Sequence, residues 1–414
     1  MIAASETMKK KRKVKDSALN IITYLSSAIS VFVLLAIFVF IFSKGSGTLG
    51  LKMLTGNYWS SNYMLSVEKE YNKPGNYERP SDLDESVAFS SKWGIGFVDA
   101  KDTNKDDIIL VEYIDKNSPF LKMIDESVKT KDKRQVEVGY QVENVPYTDA
   151  NGVGGIGGAI MSQSAKDLAE TLDTQAVSLG NIYFKTPGGG VRGSIITTLY
   201  LILVSLIIAL PLGIAAAIYL HEYAKDNKLT SIIRSGIEML TGVPSIIFGL
   251  MGVTVLFPVT QLFGATTTNI LLGGLTMAII LLPTIIRSTE EALIVVPQSL
   301  RDASLSVGAN QSQTIFKVVL PCAVPGILTG VLLSIGRVIG ESAALIYTMG
   351  TYVNDAPTLT TQGTSLAVQI YNIMSSEQPN FELACAISII ILVFVLILNI
   401  TVKYLSKRFS KAWY

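Results

Sequence analysis

The sequence predicts an all-α membrane protein with several transmembrane helices and one large, β-rich insert outside the membrane. Two observations lead to this fold class. Hydrophobic residues make up 49% of the 414 residues and charged residues only 16%, whereas soluble domains carry about 25% charged residues. The apolar residues are also concentrated in six stretches, and the long segment between the first two stretches is polar. The mean hydropathy of +0.42 agrees with a polytopic membrane protein.

Each of the six stretches has about the length that a helix needs to cross the hydrocarbon, roughly 20 residues. We predict membrane spans at residues 21–42, 195–220, 237–259, 270–286, 327–348 and 383–402. Glycine and proline interrupt the third and fifth stretches, which makes the ends of these two spans the least sharply marked. The first stretch is longer than the apolar core of a secretory signal, so we expect it to be retained as a helix.

Lysine and arginine residues predict the orientation of the spans. A basic run, Lys9–Lys15, precedes the first span, and further basic residues follow the second, fourth and sixth spans. The segments 260–269 and 351–382 contain no Lys or Arg. Because cytoplasmic loops carry an excess of these residues, we expect both termini in the cytoplasm, with a basic segment at 1–20 and a tail at 406–414. The expected location is the plasma membrane, in contact with its lipid.

The polar segment at 43–190 predicts a folded domain outside the cytoplasm. Residues 66–150 contain 18 Asp and Glu against 12 Lys and Arg, and a long domain is translocated largely regardless of its charge. Alternating runs at 108–113 and 135–140 predict strands. Residues 94–98 predict another strand, followed by a polar hairpin loop at 99–107.

Two glycine-rich runs, Gly152–Gly158 and Pro187–Gly190, have the composition of a phosphate-binding loop. A P-loop also requires a terminal Gly-Lys-Ser or Gly-Lys-Thr, which the chain does not contain. We therefore expect both runs to be flexible connectors, and we expect ATP hydrolysis to take place in a separate subunit.

Composition also excludes several functions. The net charge of +1 lacks the basic excess of a nucleic-acid-binding protein. One histidine, His221, and two cysteines, Cys322 and Cys385, are too few for a typical zinc site or a disulfide framework. The sequence shows no cluster of nucleophile, base and metal ligands. We expect no cofactor, no metal and no enzymatic activity.

The segment at 287–321 predicts two short helices between the fourth and fifth spans. Residues 299–307 form a helical run that Gly308 can end in a left-handed conformation, and a second apolar helix starts at 315–320. Together they form a rigid knob on the cytoplasmic face, suited to contact with a soluble partner.

This segment resembles the EAA signature of ABC-importer permeases, in which Glu-Ala-Ala is followed by Gly and later by Ile-x-Leu-Pro. Here the triplet is Asp302-Ala303-Ser304, followed by Gly308 and by Leu320-Pro321. The resemblance implies that Arg301, Asp302, Ala303, Ser304 and Gly308 couple the membrane helices to an ATP-binding subunit.

The resemblance extends over roughly residues 190–405. Segments such as Leu210–Leu220, Gly242–Leu250 and Gly336–Leu345 resemble phosphate permeases, of the PstA type more than the PstC type. This implies a type I ABC-importer permease fold with its core at 191–405. It also implies four kinds of partner: a PstC-type permease, a dimer of ATP-binding subunits, an extracytoplasmic phosphate-binding protein, and phosphate itself. Ser342 and Ala344 depart from the Thr and Pro of the family pattern.

Two charged residues, Arg337 and Glu341, lie in the fifth predicted span. A charge at the bilayer centre costs about 2.5–3.5 kcal/mol on insertion scales, so such a residue faces a partner or a pathway. Four residues apart, the two side chains are expected on one helix face, either as a structural ion pair or as part of an anion pathway. The resemblance favours the pathway. Arg287, at the inner end of the fourth span, is a further candidate, although positive-inside placement explains it equally well.

Two alternatives stay open at this stage. The chain can be a permease for another oxyanion, such as molybdate, sulfate or phosphonate. It can also be a membrane-anchored receptor that acts through its external domain.

Overall fold

The computed structural model describes residues 2–101, 106–127, 132–186, 188–376 and 379–411. The helices in these ranges are α1 (Ile2–Gly45), α2 (Leu51–Thr55), α3 (Ala165–Thr174), α4 (Arg192–Ile218), α5 (Lys228–Gly242), α6 (Ser245–Met251), α7 (Phe257–Gln261), α8 (Ile270–Ile294), α9 (Gln298–Ser306), α10 (Gln311–Thr314), α11 (Leu320–Gly340), α12 (Ala343–Met349), α13 (Leu366–Met374) and α14 (Phe381–Lys411). Three π-helical turns, at Tyr219–Tyr223, Gly252–Leu256 and Ile315–Val319, continue the helices beside them.

The strands all precede α4. They are β1 (Asn62–Val67), β2 (Ala88–Ser90), β3 (Ile95–Lys101), β4 (Asp107–Ile114), β5 (Met123–Asp125), β6 (Lys133–Arg134), β7 (Gln141–Thr148), β8 (Gly154–Gly157), β9 (Ser178–Leu179) and β10 (Ile182–Lys185).

Five helical runs among the described residues are long and apolar enough to cross a membrane. They are Leu19–Gly45, Arg192–Tyr223, Ile270–Ile294, Gln311–Gly340 and Phe381–Tyr404. Each overlaps one of the predicted spans. The third predicted span, 237–259, is instead divided between two helical runs, Lys228–Gly242 and Ser245–Gln261, which meet at 103°. Val243 and Pro244 separate them with extended backbone, because proline disfavours helical backbone in the residue before it.

The fifth predicted span, 327–348, is wrong in its second half. Helix α11 ends at Gly340, and Glu341 is extended with φ −78° and ψ 128°. Helix α12 starts two residues later as a separate short helix. The break falls where Gly340, a poor helix former, meets a charged residue.

The described residues divide into two units, Met1–Leu49 with Ile370–Tyr414, and Gly50–Gln369. In the first unit α1 packs along α14. A Cβ on Gly45 would lie 2.7 Å from the backbone of Cys385 and Ala386, so this glycine permits close helix contact. Many other apolar side chains of α1 are exposed, as suits a helix in lipid. Residues 412–414 of the predicted tail lie outside the described residues.

In the second unit α8 is the central membrane helix, with α4 and α11 packed against it. Most of its side chains are buried, including Leu272, Met277 and Leu281. Helices α6 and α12 pack against each other and against α8. On α6 the buried residues are Phe248 and Gly249, and on α12 they are Ala344, Leu345, Thr348 and Met349.

The insert of the second unit is built on an antiparallel sheet in the order β2-β3-β4-β7-β10-β1-β5-β6, with β8 and β9 also paired to β7. Its core contains the fully buried rings of Trp93, Phe97, Phe120 and Phe184. Helix α3 buries Leu168 and Leu172 in this core, and a capping box between Ser164 and Asp167 fixes its first turn.

Two of the predicted strands correspond to observed ones, because 108–113 lies in β4 and 95–98 in β3. The strand predicted at 135–140 is wrong. Gly139 has φ +96° and donates its N–H to the carbonyl of Val111, so the backbone turns there before β7 begins. Residues 102–105 of the predicted hairpin loop lie outside the described residues.

The prediction that Gly152–Gly158 is a flexible connector is wrong for part of this run. Gly154–Gly157 pairs with β7 as strand β8. Gly155 lies directly against the ring of Tyr147, where a Cβ would overlap the ring. In the second run, Pro187 lies outside the described residues.

We predict that Asp173→Ala destabilises the insert. The Asp173 carboxylate accepts hydrogen bonds from the hydroxyl of Ser90 (2.5 Å), from the hydroxyl and N–H of Ser91 (2.9 and 3.0 Å) and from the N–H of Lys92 (3.0 Å). Because Ser90 is buried, its unsatisfied hydroxyl costs about 1–3 kcal/mol of unfolding free energy. Hydrogen exchange of β2 and α3 amides in the full-length protein measures this loss. Asp107→Ala, which removes only an exposed ion pair with Lys101, is the control, and an equal effect of both variants would contradict the prediction.

Candidate functional site

Arg337 lies in the last turn of α11, and its side chain is exposed. Within the described residues, no acidic group is within ion-pair distance of it. The neighbouring positions Ile335, Val338 and Ile339 are apolar and buried. Arg337 is therefore an unneutralised cation at the end of an apolar helix, a placement that needs a polar pathway or a ligand to offset its cost.

Glu341 does not share a helix face with Arg337, so the expectation of a common face is wrong. The helix ends between the two residues, at Gly340. The Glu341 carboxylate instead accepts a hydrogen bond from the N–H of Ala344 at 3.3 Å, in the first turn of α12. Because the Glu341 carboxylate is bonded to the backbone at the helix break, it does not pair with Arg337.

The break after α11 is in contact with the helix that follows the other break. Gly249 of α6 packs on Ala344 of α12, and a Cβ on Gly249 would lie 2.8 Å from the Ala344 carbonyl oxygen. Non-helical backbone at membrane depth is tolerated only where protein covers it or where it lines a water-filled cavity. The packing of α6 on α12 buries Ala344, whereas Gly340 at the break itself is exposed.

Arg287 lies on α8 and pairs with Glu291 at 3.3 Å. Both side chains are largely exposed, 71% and 66%, so this is a surface i,i+4 pair of small energetic value. Within the described residues, Arg287 forms no ion pair with Glu341. The structure does not bring the three candidate pathway residues into one bonded cluster.

Arg301 fastens α9 to the end of α4. Its guanidinium donates to Glu222 Oε1 (2.9 Å) and to the carbonyls of Leu293 (3.0 Å) and Val296 (2.7 Å). The side chains of Arg301 and Glu222 are only 12% and 11% exposed. His221 Nε2 lies 3.8 Å from the same Glu222 oxygen. This buried pair fixes the position of α9 relative to α4 and α8.

A second pair, Arg234 with Glu290 at 2.7 Å, ties α5 to α8. Arg234 also donates to the carbonyl of Leu220 at 2.8 Å. The i,i+4 spacing on α5 favours Glu238 as its partner, and this expectation is wrong. Glu222 and Glu290 are thus structural residues whose pairing was not predicted from the sequence. Their only signal was an acidic residue within or beside an apolar run, which marks a group that needs a partner.

Helix α9 presents an exposed surface that contains much of the predicted motif. Asp302 and Ala303 are exposed, as are the apolar side chains of Leu300, Leu305 and Val307. Ser304 instead faces α10, with its hydroxyl 2.9 Å from that of Thr314. Gly308 has φ +90°, which confirms the predicted left-handed end of this helix. The result is a rigid two-helix knob with a mixed apolar and polar face.

Among the described residues, no three or more His, Cys, Asp or Glu side chains are grouped so that they could hold a metal ion.

Broken apolar helices that pack against each other beside an unpaired cation are typical of proteins that move solutes across a membrane. The second unit is of this class, a polytopic membrane transport component.

Comparison with known proteins narrows the class. Residues 209–411 match the sequence profile of "binding-protein-dependent transport system inner membrane component". The probable ABC transporter permease protein YqgI of Bacillus subtilis is 32% identical over 239 residues, which are 54% of this chain and 80% of that protein. The phosphate transport system permease protein PstA of Pasteurella multocida is 34% identical over 241 residues, 57% of this chain and 84% of that protein. Among solved structures, a chain of the inward-facing MetNI methionine ABC transporter is 22% identical with a TM-score of 0.44, covering 53% of this chain and 95% of that chain.

The chain belongs to the family of binding-protein-dependent transport system inner membrane components, as an ABC transporter permease. It is therefore a multi-pass protein of the inner membrane that acts with a binding protein and a separate ATP-hydrolysing subunit. This membership favours transport over the receptor alternative. The insert at 43–190 lies wholly outside the residues that match this profile, 209–411.

We predict that Arg301→Ala destabilises the second unit. The substitution leaves the Glu222 carboxylate buried without its charged partner, which costs about 3–5 kcal/mol of unfolding free energy. Arg287→Ala removes an exposed pair and is expected to cost less than about 1 kcal/mol. Thermal unfolding of the two purified variants measures the difference. Equal shifts of the unfolding midpoint would show that the Arg301 pair carries no special weight.

Proposed function

We propose that the chain is the PstA-type permease subunit of an ATP-driven phosphate importer and forms half of the translocation pathway. The support is of two kinds. The relative from Pasteurella multocida is named as a phosphate transport permease, and the chain presents an exposed, unpaired arginine at a break between membrane helices.

Arg337 is the observation that carries the proposal. An anion that crosses an apolar barrier needs a fixed cation on its route, and arginine binds phosphate oxygens through two parallel hydrogen bonds. Because Arg337 has no acidic partner among the described residues, its guanidinium is free to bind a passing oxyanion. Glu341 holds the backbone break beside it, and Arg287 lies at the inner end of the pathway.

The knob formed by α9 and α10 is the proposed contact with the ATP-binding subunits. Its exposed Leu300, Leu305 and Val307 would enter an apolar groove of that partner, with Asp302 and Ala303 on the same surface. Arg301, Ser304 and Gly308 act from within the knob: the first two fasten α9, and the third ends it. A displacement of the knob then reaches α4 and α8 through the buried Arg301–Glu222 pair.

The proposed assembly follows the type I ABC-importer arrangement. The chain crosses the membrane six times, with the broken pair of helices counted as one span and both termini in the cytoplasm. The core at 191–405 pairs with a PstC-type permease, and the cytoplasmic loop at 287–321 contacts the ATP-binding dimer. The insert at 43–190 faces the side of the phosphate-binding protein. Residues 1–20 and 406–414 lie in the cytoplasm, and the first span is 21–42.

We predict that Arg337→Ala sharply lowers phosphate uptake while the complex still assembles. The change removes the proposed cation from the pathway, and its exposed side chain makes no contact that folding depends on. Uptake of labelled inorganic phosphate by proteoliposomes that contain the complete complex measures the effect. Arg337→Lys keeps the charge but loses the paired hydrogen bonds, so we expect intermediate uptake.

Normal phosphate uptake by the Arg337→Ala complex would remove this residue from the pathway. If the wild-type complex carries molybdate, sulfate or phosphonate in place of phosphate, the substrate assignment is wrong while the pathway assignment stands.

We predict that Gly308→Val uncouples the ATPase or releases it. A β-branched residue at φ +90° is strained by about 1–2 kcal/mol, and the space around Gly308 is open, so the effect comes from the backbone alone. Gly308→Asn is the control because asparagine tolerates the left-handed conformation. Co-purification of the ATPase and transport-coupled ATP hydrolysis are the measurements. Undiminished coupling in the valine variant would contradict the prediction.

A further inference from the structure

The chain enters and leaves the insert at one place, where residues 57–59 run beside residues 188–190. The N–H of Gly189 donates to the carbonyl of Tyr58, and that of Gly190 to the carbonyl of Asn57, both at 2.9 Å. Gly190 lies against Gly56 so closely that a Cβ on it would overlap the Gly56 carbonyl. The two ends of the insert therefore form one paired base.

This base is bonded to the loop that follows α12. The Asp355 carboxylate accepts the N–H groups of Tyr58 (2.6 Å) and Trp59 (3.2 Å). The Trp59 indole N–H donates to the carbonyl of Val353 at 2.6 Å, and its ring stacks on Tyr352 with 5.9 Å between centroids. Hydrogen bonds to a charged acceptor are roughly twice as strong as neutral ones, so this contact resists separation.

The outgoing end of the insert touches the same loop. Gly193, in the first turn of α4, packs against the Asn354 carbonyl with no room for a side chain. The guanidinium of Arg192 donates to the backbone carbonyl of Asp355 at 3.4 Å. We name these contacts, of residues 58–59 and 192–193 with residues 352–355, the insert clamp.

The clamped loop is itself tied to the membrane helices. Asn354 donates to the carbonyl of Gln362 (3.0 Å), and the Gln362 side chain donates to the hydroxyl of Thr268 (3.0 Å). The N–H of Asn269 donates to the carbonyl of Thr348 (3.0 Å), which joins the start of α8 to the last turn of α12. The loop is therefore bonded to the start of α8 and, through it, to the last turn of α12.

Helix α12 is also the segment that follows the break beside Arg337. Its seven residues span about 10 Å, and its first turn holds the Glu341 carboxylate. The clamp thus lies one short helix away from the break.

We propose that the insert is a lever for the translocation pathway, fixed to α12 by the insert clamp, so that movement of the insert displaces the break between α11 and α12. The proposal rests on the proposed function for its consequence, since it assigns regulation of the same pathway to the insert. Asp355 and Trp59 are positioning residues in this mechanism. They act through α12 and do not contact the substrate.

The test uses the complete complex with Asp355→Ala and with Trp59→Phe, which keeps the aromatic ring but removes the indole N–H. Asp149→Ala is the matched control, because Asp149 also accepts two backbone N–H groups, from Asn151 and Val153 at 2.8 Å each, but entirely within the insert. Hydrogen exchange of residues 343–349 is the first readout, and phosphate taken up per ATP hydrolysed is the second.

We expect Asp355→Ala to raise amide exchange in α12 by on the order of tenfold and to lower phosphate uptake per ATP, with basal ATP hydrolysis unchanged. Trp59→Phe should act in the same direction more weakly, and Asp149→Ala should change neither readout.

Faster exchange confined to residues 57–60, with α12 unchanged, would overturn the lever, as would uptake per ATP that stays at the wild-type value when α12 is loosened. The exchange result does not depend on the substrate. If the wild-type complex imports no phosphate, the proposed function fails, while the exchange of α12 still decides whether the insert and the pathway helix are coupled.

Discussion

A peptide group in the hydrocarbon of a bilayer has no water to bond, so each interruption of a membrane helix has to be covered by other protein. The rest of the second unit depends on this constraint. At the break after Gly340 the Glu341 carboxylate accepts the N–H of Ala344, and the helix that follows packs on α6, where Gly249 permits close contact with α12. Because α6 and α12, the helices that follow the two breaks, pack on each other, a displacement of one bears on the other. Arg337 lies beside the second break, in the last turn of the apolar helix α11.

The arginines of the unit have different roles because their partners differ. Arg301 and Arg234 are bonded to carboxylates and backbone carbonyls. These bonds neutralise their charges and fix the positions of α9 and α5. The Arg301–Glu222 pair, whose side chains are only 12% and 11% exposed, is best understood as a device that sets registry between elements. Arg337 has no such partner among the described residues and keeps its charge available for a ligand. The hydrogen-bond partners and the burial of an arginine, and not its charge alone, decide whether it fixes two helices together or can bind a ligand.

Much of this architecture could be predicted from local patterns. The apolar stretches marked the membrane helices, and Gly308 marked the end of α9, because each depends on a few consecutive residues. The end of α11 could not be predicted in this way, since Arg337 and Glu341 have helical spacing and only the packing of α12 shows that the chain turns between them. The partners of Arg234 and Arg301 lie 56 and 79 residues away, beyond the reach of spacing rules. The strand expected at 135–140 failed because the alternation of its side chains concealed the turn at Gly139.

The contact of Gly56 with Gly190 has a consequence for how this chain arose. Domains whose termini lie side by side can be inserted into a loop of another protein without disturbing either fold. The insert meets that condition, because residues 57–58 and 189–190, near its two ends, are hydrogen-bonded neighbours just before α4. All of it also lies outside residues 209–411, which match the family. A single insertion event is enough to account for it, because the chain enters and leaves the folded part of the insert at hydrogen-bonded neighbours.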